Sequence, residues 1–116
     1  MQWIQNISND PKQKHIISLE DGRQLTIELA YRPTQIGWFL DLEIEGWKLR
    51  GIRITNSLNL LFQWHNIIDF GILCEVDNNQ EPLSIQDFLV GRARLGVLDQ
   101  SEVNEIISAA SIVGEE

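Results

Sequence analysis

Apolar side chains recur at every second position in run after run of this sequence. In Leu25-Thr26-Ile27-Glu28-Leu29-Ala30-Tyr31 the apolar residues are Leu25, Ile27, Leu29 and Tyr31. Successive side chains of an extended chain point to opposite faces, so this spacing gives a strand one face of which meets a core. Trp38-Phe39-Leu40-Asp41-Leu42-Glu43-Ile44-Glu45 repeats the arrangement, with Trp38, Leu40, Leu42 and Ile44 inward and Asp41, Glu43 and Glu45 toward water. Lys48 to Ile54 reads as a return strand after Gly46, and the consecutive antiparallel strands make a meander. Phe70, Ile72, Cys74 and Val76 alternate in the same way, and Gly91 to Leu98 reads as a last strand.

The breaks between runs carry turn chemistry. His15 to Leu19 leads into Glu20-Asp21-Gly22-Arg23, where Asp-Gly is a strong hairpin signal. Arg32-Pro33-Thr34-Gln35 ends the next strand, because proline lacks the N–H a ladder needs. Asn56 to Phe62 fits either a strand or a loop laid across an open end. Pro82 to Phe88 reads as a short helical turn, with Ser84 as N-cap and Asp87 at N3. Beyond Asp99 the period changes: Val103, Ile106, Ile107 and Ala110 fall at i, i+3, i+4 and i+7. That spacing predicts an amphipathic helix over 101–113 with Ser101 as N-cap. A helix this short is marginal alone, so its stripe must be covered.

The expected fold is all-β: a small antiparallel β-barrel or two-layer sandwich, with a short helical turn and a C-terminal helix. The expected division is a lead-in over 1–13, ended by the turn Asn9-Asp10-Pro11-Lys12, a β domain over 14–98, and a helical extension over 99–116. Edge strands in such a fold invite augmentation by a neighbour's strand.

The chemistry-bearing residues form no catalytic constellation. His15 and His65 lie far apart, and the carboxylates of Asp41, Glu43 and Glu45 fall at strand period on a solvated face. No phosphate-binding glycine loop or nucleophile elbow is present. Asp77-Asn78-Asn79-Gln80-Glu81 lacks the glycine and spacing of a calcium loop. Cys74 is the single cysteine, which allows no internal disulfide, and its place in a strand marks it as a small buried hydrophobe. Nine Lys and Arg against seventeen Asp and Glu give a net charge of −8, which disfavours nucleic acid because duplex binding needs a basic stripe. No apolar run approaches the roughly 18 residues of a membrane span, and the N-terminus has no secretory pattern. The expectation is no enzyme, no cofactor, no metal, and synthesis in a reducing cytoplasm.

Four tryptophans are many for one small core. Trp38 has the inward phase, while Trp3, Trp47 and Trp64 fall in the lead-in, a turn and a loop. Large rings concentrate at interface centres, so the candidate partner surface comprises Trp3, Ile4, Trp47 and Trp64, with the helix stripe Val103, Ile106 and Ile107. The helix is expected to dock on an adjacent subunit.

The order of elements resembles the baseplate plug proteins of contractile-tailed phages. The resemblance rests on Asp21-Gly22, Trp38-Phe39-Leu40-Asp41-Leu42, Gly51-Ile52-Arg53-Ile54, Asn59-Leu60-Leu61, Gly71-Ile72-Leu73 with Asp77, and Gly91-Arg92-Ala93-Arg94-Leu95, over residues 14–98. The chain departs from the pattern in its helical extension and in the heavier acidic run Asp41 to Glu45. The resemblance implies a structural subunit of a phage or phage-tail-like tail baseplate, in the virion in the first case, made in the bacterial host cytoplasm. It implies packing on hub, tube and spike proteins and on copies of itself in a symmetric assembly, without membrane or small-molecule substrate. The rival readings are a small adaptor or binding module outside the virion, and an enzyme or small-ligand barrel.

Overall fold

A computed structural model describes residues 1–114, with side chains through Ser108. Seven strands and one helix follow in order: β1 Gln2–Trp3, β2 Lys12–Ser18, β3 Gln24–Arg32, β4 Gly37–Ile44, β5 Trp47–Arg53, β6 Gly71–Val76, β7 Ala93–Leu98 and α1 Gln100–Gly114. Two antiparallel sheets result, one in the order β2-β3-β4-β5 and the other β1-β7-β6. Among the described residues no strand pair joins the two sheets, so the fold is a sandwich and not a closed barrel.

The alternation read from the sequence sets the inner faces. Leu25, Ile27 and Leu29 of β3 and Trp38, Leu40, Leu42 and Ile44 of β4 are all buried, as are Ile72, Cys74, Val76, Leu95 and Val97 of the opposing sheet, and all join one core. Register follows from the hairpins. Glu45 and Gly46 both take positive φ, 49° and 83°, the twist that lets a two-residue turn join paired strands, and Ile44 then faces Trp47.

One irregularity lies in β5. Leu42 pairs with Leu49, but Leu40 pairs with Ile52, so Arg50 and Gly51 together oppose Asp41. This bulge resets the phase and lets Leu49 and Ile52, three residues apart, both reach the core side. Gly51 takes φ +72°, and its N–H donates to Asp41 Oδ1 at 2.7 Å.

The ambiguous segment is a loop that covers the open edge of β6. Ser57 and Cys74 exchange backbone hydrogen bonds at 3.0 and 2.9 Å, and the Leu60 N–H donates to Ile72 O at 2.7 Å. Asn59, 6% exposed, ties it down: its Oδ1 accepts from the N–H groups of Leu61 and Ile72 at 3.0 and 3.1 Å.

The two ends of the chain depart from expectation. β1 lies within the expected lead-in, yet it pairs with β7, Gln2 opposite Val97 and Trp3 opposite Gly96, and the Ile4 N–H donates to Leu95 O at 2.9 Å. The helix begins one residue after Asp99, and Asp99 rather than Ser101 is its N-cap. Asp99 Oδ1 accepts from the Glu102 N–H at 2.8 Å, while Glu102 Oε1 accepts from the Asp99 N–H at 3.1 Å. A carboxylate at this position satisfies an orphan donor and also meets the positive helix end, which favours it over a serine two residues later.

Candidate interaction surfaces

At one end of the sandwich the segment 82–91 is folded over Trp38. The Trp38 Nε1–H donates to Ser84 O at 3.2 Å, and the Tyr31 hydroxyl donates to Leu83 O at 2.7 Å. Trp38 also packs edge-on against Tyr31 and Phe88, with ring centroids 5.4 Å apart in each pair. The turn read at Pro82 to Phe88 is internally capped: Ser84 Oγ accepts from the Gln86 N–H at 3.2 Å, and Asp87 Oδ2 from the Ser84 N–H at 2.9 Å. Burial pushes the Asp87 carboxyl up, but the Arg92 guanidinium at 2.9 Å and the Ser84 N–H outweigh it and hold the group below its ordinary value. This pinned segment then exposes Leu83, Leu89 and Val90, the last by 69%.

Beside it, Trp3 and Ile4 line a cleft of about 450 Å³ with Phe88, Leu89 and Ala93. Trp3 is 37% exposed. It lies over Gly96, where an added Cβ would come within 3.2 Å of its ring and 2.9 Å of Met1 Sδ. Ile4 is half-buried against the core. Trp47 is at the other end, where it lines a separate cleft with His65, Ile67 and Phe70. Trp64 is half-buried in the 3-10 turn Phe62–Trp64. The four aromatic and aliphatic candidates are therefore distributed over the fold and do not form one patch.

For the helix stripe the structure corrects the expectation in part. Val103 is fully buried within the chain, because α1 packs against β7 on the face that carries Leu98, also buried. A side chain already enclosed by its own domain offers nothing to a neighbour. Ile106 and Ile107 are half-exposed, and the side chain of Ala110 lies outside the described residues.

Leu89, Val90 and Ile67 were not among the sequence candidates. Phe88-Leu89-Val90 before Gly91 could have signalled the first two: three consecutive apolar residues in a turn cannot all face inward.

Five of the six arginines divide into two kinds. Arg23 pairs with Asp21 and Asp69 at 2.6 and 2.8 Å, Arg92 with Asp87, and Arg94 with Glu75 and Asp77 at 2.9 and 3.0 Å. Arg32 and Arg53 instead lie over the Phe39 ring, 4.3 and 5.4 Å from its centroid, and pair with no carboxylate among the described residues. Arg53 donates to the carbonyls of Gln35 and Ile36 at 3.1 and 2.8 Å.

Cys74 is buried, and burial pushes its thiol up to about 12, so it stays protonated and unreactive at neutral pH. Among the described residues no group of three or more His, Cys, Asp or Glu is placed to hold a metal ion, and no helix is long and apolar enough to cross a membrane. What the surface does offer is large apolar side chains at both ends of a rigid sandwich, the chemistry of protein packing.

No curated protein matches the sequence. Residues 1–100 match the family described as Cyanophage baseplate Pam3 plug gp18, a span that takes in β1 and all six other strands and stops at the first residue of α1. The chain belongs to this family of phage baseplate plug proteins and is a structural component of the virion tail baseplate.

Proposed function

We propose that the chain is a small plug or hub subunit of a contractile tail, packed near tube and spike in several symmetric copies. It works by contact and without cofactor or catalysis. The exposure of Leu83, Leu89 and Val90 on a segment pinned to the core supports this reading. Apolar side chains held out on a rigid mount lose little freedom when a partner covers them, so more of the burial energy appears as affinity. Trp3 and Ile4 extend that surface through the adjoining cleft, and the half-exposed Ile106 and Ile107 are a second place for a neighbour.

Cross-linking and mass spectrometry on purified tail particles test the reading. Lys12, Lys14 and Lys48 should link to other baseplate proteins, and a Leu89→Asp, Val90→Asp variant should fold normally but fail to enter particles. Particles in which that variant is incorporated at the wild-type level would refute this surface. Purified particles that contain none of the chain would refute the role.

A further inference from the structure

The turn between β3 and β4 ends in a conformation its residue resists. Ile36 has φ +48°, a left-handed backbone that is a genuine outlier for a β-branched side chain. It is held there by its own N–H, which donates to Pro33 O at 3.2 Å, and by the Arg53 guanidinium on its carbonyl at 2.8 Å. The result is an apolar side chain 58% exposed, with Arg53 on its own carbonyl and Arg32 beside it on the shared Phe39 ring. Glycine would take this backbone without strain; here the strained turn instead holds a large apolar side chain outward.

At the opposite end of the same sheet is a cleft of about 220 Å³, lined by Leu19, Phe70 and Leu98. Glu20, Asp21, Asp69 and Asp99 also line it. Against these four carboxylates stand Arg23 and the Met1 amino group, which also line it, so the cleft carries two negative charges in excess. The Ile36 turn carries two positive ones. Strand β3, nine residues long, runs between the two ends, a separation of roughly 26 Å at ~3.3 Å per residue.

We propose that Ile36 of one copy enters the Leu19–Phe70 cleft of a second copy, with Arg32 and Arg53 set against its carboxylates. The inference rests on the reading of the chain as a multi-copy subunit and adds the surface and its symmetry. Knob and socket lie at opposite ends, so the contact is heterologous and propagates head to tail, closing as a ring or continuing as a column. Complementary charge at each junction sets orientation. The apolar side chain, enclosed by the cleft, supplies the burial.

Sedimentation velocity of the purified chain up to about millimolar concentration tests this. Wild type should form dimers and longer species. Ile36→Gly removes the knob and relieves its backbone, so self-association should weaken at least ~tenfold while the melting temperature holds or rises; a merely structural Ile36 would predict the reverse. Glu20→Lys, Gln2→Lys places two cations on the cleft and should weaken association alike. Equal amounts of the two variants, each keeping one working end, should form dimers and nothing longer. A strictly monomeric wild type, or an Ile36→Gly protein that associates as wild type does, would overturn the contact. Neither outcome touches incorporation into tail particles, which tests the underlying role separately.

Discussion

Asn59 and Gly71 form a pair whose coupling can be worked out in advance. Among the described residues, Asn59 Oδ1 is the sole side-chain acceptor for two buried backbone donors, Leu61 N–H and Ile72 N–H, while its Nδ2 is buried without a partner. Asn59→Ala orphans both donors at ~1–3 kcal/mol each and removes one orphan of similar cost, so the net loss is about 1–3 kcal/mol. Gly71 touches the same amide: a Cβ there would come within 2.6 Å of Asn59 Oδ1 and 2.8 Å of its Cγ and Nδ2. Gly71→Ala should therefore cost ~1–3 kcal/mol by overpacking. In the double variant the amide is gone and the new methyl has room, so its stability should match Asn59→Ala alone. The interaction energy then equals the Gly71→Ala cost with opposite sign, well beyond the ~0.3–0.5 kcal/mol scatter of independent sites. Urea unfolding of the four proteins, read as midpoints at constant m-value, measures this. Additive losses, or an Asn59→Ala protein within about 0.5 kcal/mol of wild type, would show that the loop is not held through this amide.

Trp38→Ala should destabilise the fold by ~3–5 kcal/mol, whereas the partly exposed Trp3→Ala should cost about 1 kcal/mol or less; thermal unfolding separates them, and equal losses would refute the assignment of Trp3 to the surface. Cys74 should fail to react with a disulfide reagent until the chain unfolds, in step with loss of the tryptophan signal. Asp87 is held below its ordinary value in the fold, so its carboxylate contributes stability above the unfolded pKa of ~4, and the contribution is lost as pH falls through the lower folded value. Melting temperatures measured at falling pH should drop below about pH 4 in wild type, and less steeply in Asp87→Asn.

The strands were legible because alternation and burial are one fact seen twice. Leu25, Ile27, Leu29 and Trp38, Leu40, Leu42 all land in the core with the phase their spacing gives. What stayed hidden was whatever depends on contacts distant in sequence. Trp3 is an edge-strand residue because Gly96, ninety-three positions on, leaves room for its ring. The bulge at Arg50 and Gly51 needs Asp41 opposite it. Val103 had the right period for a helix stripe, but periodicity says that a face is covered and not by what. The partner candidates were legible only as a residue class, since no local signal tells a half-buried Trp47 from a ring that is fully exposed.

The sheet edges explain why contacts should fall at the ends of this sandwich. An unpaired strand edge recruits another strand unless something blunts it. The β6 edge is already occupied by Ser57 and Leu60. The β5 edge is bent by its bulge and carries Lys48, Arg50 and Arg53, all exposed. β1 has two residues only. β2 starts after Pro11 and alternates Lys12 and Lys14 outward, which sets like charges against any second copy that tried to pair there. With every edge shortened, charged, bent or filled, strand addition between copies is disfavoured throughout. Exposed apolar side chains cluster at the ends, on Ile36, Leu83, Leu89 and Val90 at one and Ile67 at the other, while Ile16 is exposed on β2 itself and Leu58 on the loop over β6. For a small subunit packed among neighbours, as proposed, contacts at the ends have the advantage that side chains there can be made specific by shape and charge. A bare backbone ladder would accept any strand.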